Sequence, residues 1–133
     1  MTRPCFLVVD HEHFGNISTR KLVLEAAKFN VITAYSANEA IATLTRFPSV
    51  DGIVTDAELP GMLCTDLIKA FKLIAPKAPV ILVRRPMFQY CEGADYQLDS
   101  FDPRVLLEML ERICPNQISA IEKHEEKLEE EGA

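Results

Sequence analysis

Two aspartates close short apolar runs in this chain: Asp10 ends F-L-V-V-D at 6–10, and Asp56 ends G-I-V-T-D at 52–56. A carboxylate at the end of a buried run can hold a hard cation or act as a nucleophile, because its oxygens emerge where the backbone turns. Beyond Asp56 the turn is explicit in Leu59-Pro60-Gly61: Pro fixes φ, and Gly tolerates φ > 0. Open α/β sheets gather ligands at the carboxyl ends of their strands, so Asp56 is expected at such a rim. The H-E-H at 11–13 also offers ligand types, but alternate residues on one loop seldom converge on a single ion.

The elements that must position these acids follow from apolar patterning. Cys5 to Val9, Asn30 to Ala34, Gly52 to Thr55 and Val80 to Val83 are strand-like runs, and Tyr96 to Leu98 is a short fifth. Between them lie helical patterns. Gly15-Asn16 opens one that runs to Lys28, with Ile17, Leu24 and Ala27 near helical spacing. Ser36 or Asn38 caps a second with Ala40, Ile41 and Leu44 inward. Met62 to Ile74 forms a third presenting Leu63, Leu67, Ile68, Phe71 and Ile74. Asp102-Pro103 starts a last helix to Ile113 carrying Leu106, Leu107, Met109 and Leu110. Strands alternating with helices of this length imply right-handed crossovers and a parallel sheet. The expected architecture is α/β, a flavodoxin-like (βα)5 doubly wound five-stranded sheet of order 2-1-3-4-5. In that order the first and third strands are neighbours, and Asp10 meets Asp56.

Length and composition set the outer bounds. The 133 residues suit one folded unit, and no apolar run approaches the ~20 residues needed to cross a bilayer. A net charge of −6 argues against a nucleic-acid partner. Much of that charge falls in a biased segment, Glu122 to Glu131, so the chain divides into a folded unit at 1–115 and an acidic tail at 116–133. Asn116 can cap a helix there, with Ile118, Ile121 and Leu128 on one stripe broken by Glu125, so a homodimer through this segment stays open. The four cysteines (Cys5, Cys64, Cys91, Cys114) show no zinc-like spacing and are expected to be small buried apolar residues in a reducing, cytoplasmic setting.

F-L-V-V-D at 6–10, D-G-I-V-T-D-A-E-L-P-G-M at 51–62, P-V-I-L-V at 79–83 and G-A-D-Y-Q-L at 93–98 together resemble the receiver domain of two-component response regulators. The resemblance spans residues 4–114. It implies that Asp56 occupies the phosphoacceptor position, that the phosphoryl group comes from a sensor histidine kinase, and that Asp10, Asp56 and the backbone carbonyl of Glu58 are candidate ligands for Mg²⁺. It also implies that Tyr96 is the switch aromatic.

Three positions depart from the family pattern. His11 stands where a second acid follows the first strand, and imidazole is a poor ligand for Mg²⁺. Arg84 replaces the hydroxyl residue after the fourth strand. Asp99 replaces the lysine that ends the fifth, with Ser100 after it in place of Pro. Two of these change charge in opposite senses, so Arg84 is the expected cation at one or both of Asp56 and Asp99, its planar fork suiting carboxylates; the alternative is that Arg84 and Arg85 point to solvent and the site has decayed. The segment R-R-P-M-F-Q-Y-C-E-G from Arg84 to Gly93 leaves room for about one turn of a shortened fourth helix, with Pro86 limiting it. Met87, Phe88 and Tyr90 would then pack inward or form a docking patch.

The expected function is a stand-alone receiver in phosphorelay signalling, degenerate at its phosphorylation site, acting by protein–protein binding and not as an enzyme. Its expected partners are a sensor histidine kinase or another signalling protein, with no nucleic acid and no membrane. One alternative is a working phosphoacceptor at Asp56. A second is an enzyme: D-H-E at 10–12 is faintly similar to phosphohydrolases with Asp10 as nucleophile, although Glu12 stands where a second Asp would. A flavin module is disfavoured, since the loop after the first strand lacks a phosphate cradle.

Overall fold

The computed structural model describes residues 4–10, 19–57, 59–84, 91–99 and 102–114. Five parallel strands form one sheet: β1 (Cys5–Val9), β2 (Asn30–Ala34), β3 (Gly52–Asp56), β4 (Val80–Val83) and β5 (Tyr96–Leu98), in the order β2-β1-β3-β4-β5. The expected flavodoxin-like order is therefore observed. The central runs Phe6–Val9, Ile53–Val54 and Val80–Val83 are buried along their whole length. Such continuous burial requires helices on both faces of the sheet.

Those helices are α1 (Thr19–Ala26), α2 (Ala37–Arg46), α3 (Cys64–Ile74) and α4 (Pro103–Ile113). Strand alternation sorts them into two cores. Leu7, Val9, Ile53, Val80 and Leu82 meet α2 and α3 through Ala40, Leu44, Leu67, Ile68 and Phe71. Phe6, Val8, Val54, Ile81 and Val83 meet α1 and α4 through Leu24, Leu106 and Leu110. Each side chain of this size taken fully out of water contributes about 1.5–3 kcal/mol. The two sheet faces thus have separate apolar cores.

Local chemistry fixes the helix ends. Ser36 caps α2, its hydroxyl accepting from Glu39 N–H. Asp102 caps α4, its carboxylate accepting from Arg104 N–H, with Pro103 in the first turn. Lys28 leaves α1 at φ 72°, the left-handed turn that ends many helices. Helix α3 starts at Cys64, not Met62, and Leu63 sits before it in extended backbone. Leu63 is therefore off the inward stripe and 63% exposed, which corrects its expected place in the core. Gly52 pairs with Phe6 across β1 and β3, and a Cβ there would lie 2.4 Å from the Phe6 ring. Only glycine lets that ring lie flat over β3.

The β4-to-β5 crossover is unusual in its second half. Residues 91–95 are not helical; they lie along α3. Cys91 is disulfide-bonded to Cys64, and Glu92 N–H donates to Thr65 Oγ1 at 3.2 Å. A Cβ on Gly93 would stand 3.1 Å from Ile68 Cγ2, and the Asp95 carboxylate pairs with Lys72 Nζ. Partners 64, 65, 68 and 72 follow one face of the helix. An extended run from 91 to 95 advances about 13 Å at strand rise, against about 12 Å from 64 to 72 at helix rise. The segment is a strap laid parallel to α3. Of the segment from Arg84 to Gly93 expected to hold about one helical turn, residues 91–93 are not helical, and 85–90, with Met87, Phe88 and Tyr90, lie outside the described residues.

The Cys64–Cys91 bond corrects the reading of all four cysteines as apolar filler; Cys5 and Cys114 are free thiols. Two distant runs of sequence bring Cys64 and Cys91 to a Cα separation of 5.5 Å, inside the span a disulfide can bridge. Among the described residues no helix is long and apolar enough to cross a membrane. The tail at 116–133 lies outside them.

Candidate functional site

Parallel pairing of β1 with β3 sets Val9 beside Thr55, so the next residues out, Asp10 and Asp56, emerge at the same rim. Their backbones are fixed by the ladder: Asp10 N–H donates to Ala34 O at 3.0 Å, and Ala57 N–H to Val83 O at 3.0 Å. Both carboxylates are largely covered, with side chains 13% and 15% exposed. Two acids so close and so dry need a cation between them.

That cation is Arg20. From the first turn of α1 its Nη1 reaches Asp10 Oδ1 at 2.5 Å and its Nη2 reaches Asp56 Oδ1 at 2.8 Å. The Arg20 side chain is itself only 14% exposed. One guanidinium uses its two terminal nitrogens to clamp two strands, which a lysine ammonium could not do with the same fixed geometry.

Arg84 plays a different part, and its expected role as the cation at Asp56 is corrected. Its N–H donates to Leu98 O at 2.7 Å, joining β4 to the end of β5. Its Nη1 donates to Gln97 Oε1 at 3.2 Å on the exposed surface. The side chain leans toward β5, while the rim of β3 carries the Arg20 fork. Asp99 follows β5 and is exposed. Tyr96 opens β5, half-buried against the α1–α4 core. His11 and Glu58 lie outside the described residues, as do the rest of H-E-H at 11–13 and Ser100.

Of the expected Mg²⁺ set, Asp10 and Asp56 converge, with Oδ1 of each bound to the Arg20 guanidinium. Among the described residues no group of three or more His, Cys, Asp and Glu is gathered for a metal ion. A divalent ion at this rim would compete with Arg20 for Oδ1 of each acid and would need further oxygen ligands.

Arg20 is the site residue that sequence reading missed. A basic residue near the start of an amphipathic helix is ordinarily solvated, and no motif ties it to Asp10 or Asp56. The available signal was electrostatic: two convergent acids, with a third acid, Asp99, at the end of β5, require a cation.

No family model matches the chain, and no curated protein matches it. Solved structures do. The chemotaxis protein CheY4 of Vibrio cholerae is 26% identical, with 84% of this chain and 99% of that one covered at a TM-score of 0.67. A CheY-like response regulator receiver domain protein from Methanospirillum hungatei is 23% identical over 92% and 99% of the two chains, with a TM-score of 0.70. The receiver domain of sensor histidine kinase PA1611 from Pseudomonas aeruginosa, which has a magnesium ion coordinated in its active-site cleft, is 18% identical over 84% and 97%, with a TM-score of 0.72.

Proposed function

The chain carries the receiver fold of response regulators, and on that premise we propose that it is a signalling module read by protein–protein binding, with its acidic site held by an internal cation. The observation that carries this reading is the Arg20 fork across Asp10 and Asp56. Phosphoryl transfer to a carboxylate needs a positive counter-charge that arrives with the reaction and an open face for in-line approach. A guanidinium already bound to the acceptor supplies the charge but occupies Oδ1 of its carboxylate. The rim is thereby kept in one charged, closed arrangement, which a kinase or another signalling partner would meet as a fixed surface.

The test is labelling with a small phosphodonor such as acetyl phosphate plus Mg²⁺, read by intact mass. The wild-type chain is expected to show no added phosphoryl group. Stoichiometric labelling that disappears in Asp56→Ala would overturn the closed-site reading in favour of a working phosphoacceptor. That second reading has one observation in its favour: Asp56 stands at the carboxyl end of β3 with its side chain still 15% exposed. The two separate further in Arg20→Ala. Labelling gained only in this variant means that the guanidinium is the block.

A further inference from the structure

We propose that Cys64 and Cys91 form a reversible thiol–disulfide site whose redox state sets whether the upper end of the 91–95 strap stays seated on α3. The argument starts from how the strap is held. Its two ends are fastened by different chemistry. At the start of α3 the bond to Cys64 is covalent, and the Glu92 N–H to Thr65 Oγ1 hydrogen bond stands beside it. At the far end Asp95 is fastened three ways: its carboxylate to Lys72 Nζ, the same oxygen to Val80 N–H at 2.7 Å, and its own N–H to Val80 O at 2.9 Å.

Between the fastenings the strap has little of its own to hold it. Glu92 and Gly93 are exposed, and Gly93 adopts φ +102°, a hinge-like conformation that side chains resist. Ala94 alone contributes a small apolar contact to the α2–α3 core. Cleaving the disulfide removes the covalent hold on the upper end and leaves the three fastenings of the lower end intact. The face uncovered is Thr65 and Ile68, on the first two turns of α3.

The chemistry balances through exchange with a low-molecular-weight disulfide such as oxidised glutathione. One protein thiolate attacks the reagent, releasing one reduced glutathione and leaving a mixed disulfide. The second thiolate displaces the second glutathione and closes the Cys64–Cys91 bond; the two thiol protons end on the two released thiols. Both cysteines are covered in the closed state, 7% and 3% exposed, so reduction has to wait for the strap to lift. Since α3 and α1 lie on opposite faces of the sheet, this site does not depend on the Arg20 reading.

The test uses the full chain equilibrated over a series of glutathione ratios, then denatured, alkylated and weighed. Two alkyl groups, on Cys5 and Cys114, are expected at the oxidising end and four at the reducing end. Hydrogen exchange on the same samples should show the Glu92 amide at least tenfold faster when reduced, with the Asp95 and Val80 amides unchanged. Cys91→Ala should match the reduced protein. Four alkyl groups at every ratio would overturn the proposal, as would equal exchange at Glu92 in both states. Loss of protection at Val80 along with Glu92 would also overturn it, by making the bond a staple for the whole fold.

Discussion

At the scale of single residues the molecule turns on one guanidinium. Removing it leaves Asp10 and Asp56 facing each other in a mostly covered rim. Arg20→Ala should cost about 2–3 kcal/mol, less than breaking a fully buried pair. The loss is expected to be partly recovered by millimolar Mg²⁺ in the variant alone, because the freed oxygens are hard donors. Thermal melts of both proteins with and without Mg²⁺ check this; an equal Mg²⁺ response would detach Arg20 from cation control. Asp10 and Asp56 were legible because each ends an apolar run. Arg20 was not, because its partners come from two strands and only the closed sheet brings them together. The same blindness misplaced Arg84: charge alone paired it with the acids, whereas its partners are Gln97 and Leu98 on β5.

At the scale of elements, patterning and capping chemistry went far. Strands β1 to β5, the Ser36 cap and the Asp102-Pro103 start all follow from local rules and are observed. The strap does not follow from them, since residues 91–95 have no periodicity and owe their path to partners on α3. At Gly93 a positive φ strains any side chain, and a Cβ there would press the Ile68 methyl at 3.1 Å. Gly93→Ala should destabilise the chain by about 1–2 kcal/mol through backbone strain alone. Urea unfolding checks it, and the same midpoint as wild type would mean that the strap can shift sideways at no cost. Cys91 also illustrates why spacing could not reveal the disulfide: the pair is 27 residues apart in sequence and is joined by the strap's route.

At the scale of the whole molecule, titration should bound the stable range from two sides. Burial pushes the Asp95 carboxyl up, but the Lys72 hydrogen bond, the Val80 N–H and the Lys72 charge outweigh it and hold it below its ordinary value of 3.8. A lowered acid contributes stability that is present above its ordinary value and is lost as pH falls through the lowered one. Burial, and then the Asp51 carboxylate, push the Cys5 and Cys114 thiols above their ordinary 9.0. A raised thiol contributes stability present below 9.0 and lost as pH climbs through the raised value. Urea midpoints across pH should therefore be flat between these limits and fall outside them. Asp95→Asn is expected to flatten the acid flank and Cys5→Ser with Cys114→Ala the alkaline one; unchanged flanks would assign them to other groups. The sheet order was readable at this scale, because alternating strands and helices leave few right-handed arrangements.

The division of the interior by the sheet has one more consequence. Whatever prises the guanidinium from its acids acts on the wall that carries α1, and whatever reaches the sulfurs acts on the opposite wall. Five strands of ladder hydrogen bonds stand between them as a stiff partition. The two proposed sites therefore act on separate walls of the molecule, like the two faces of a signpost.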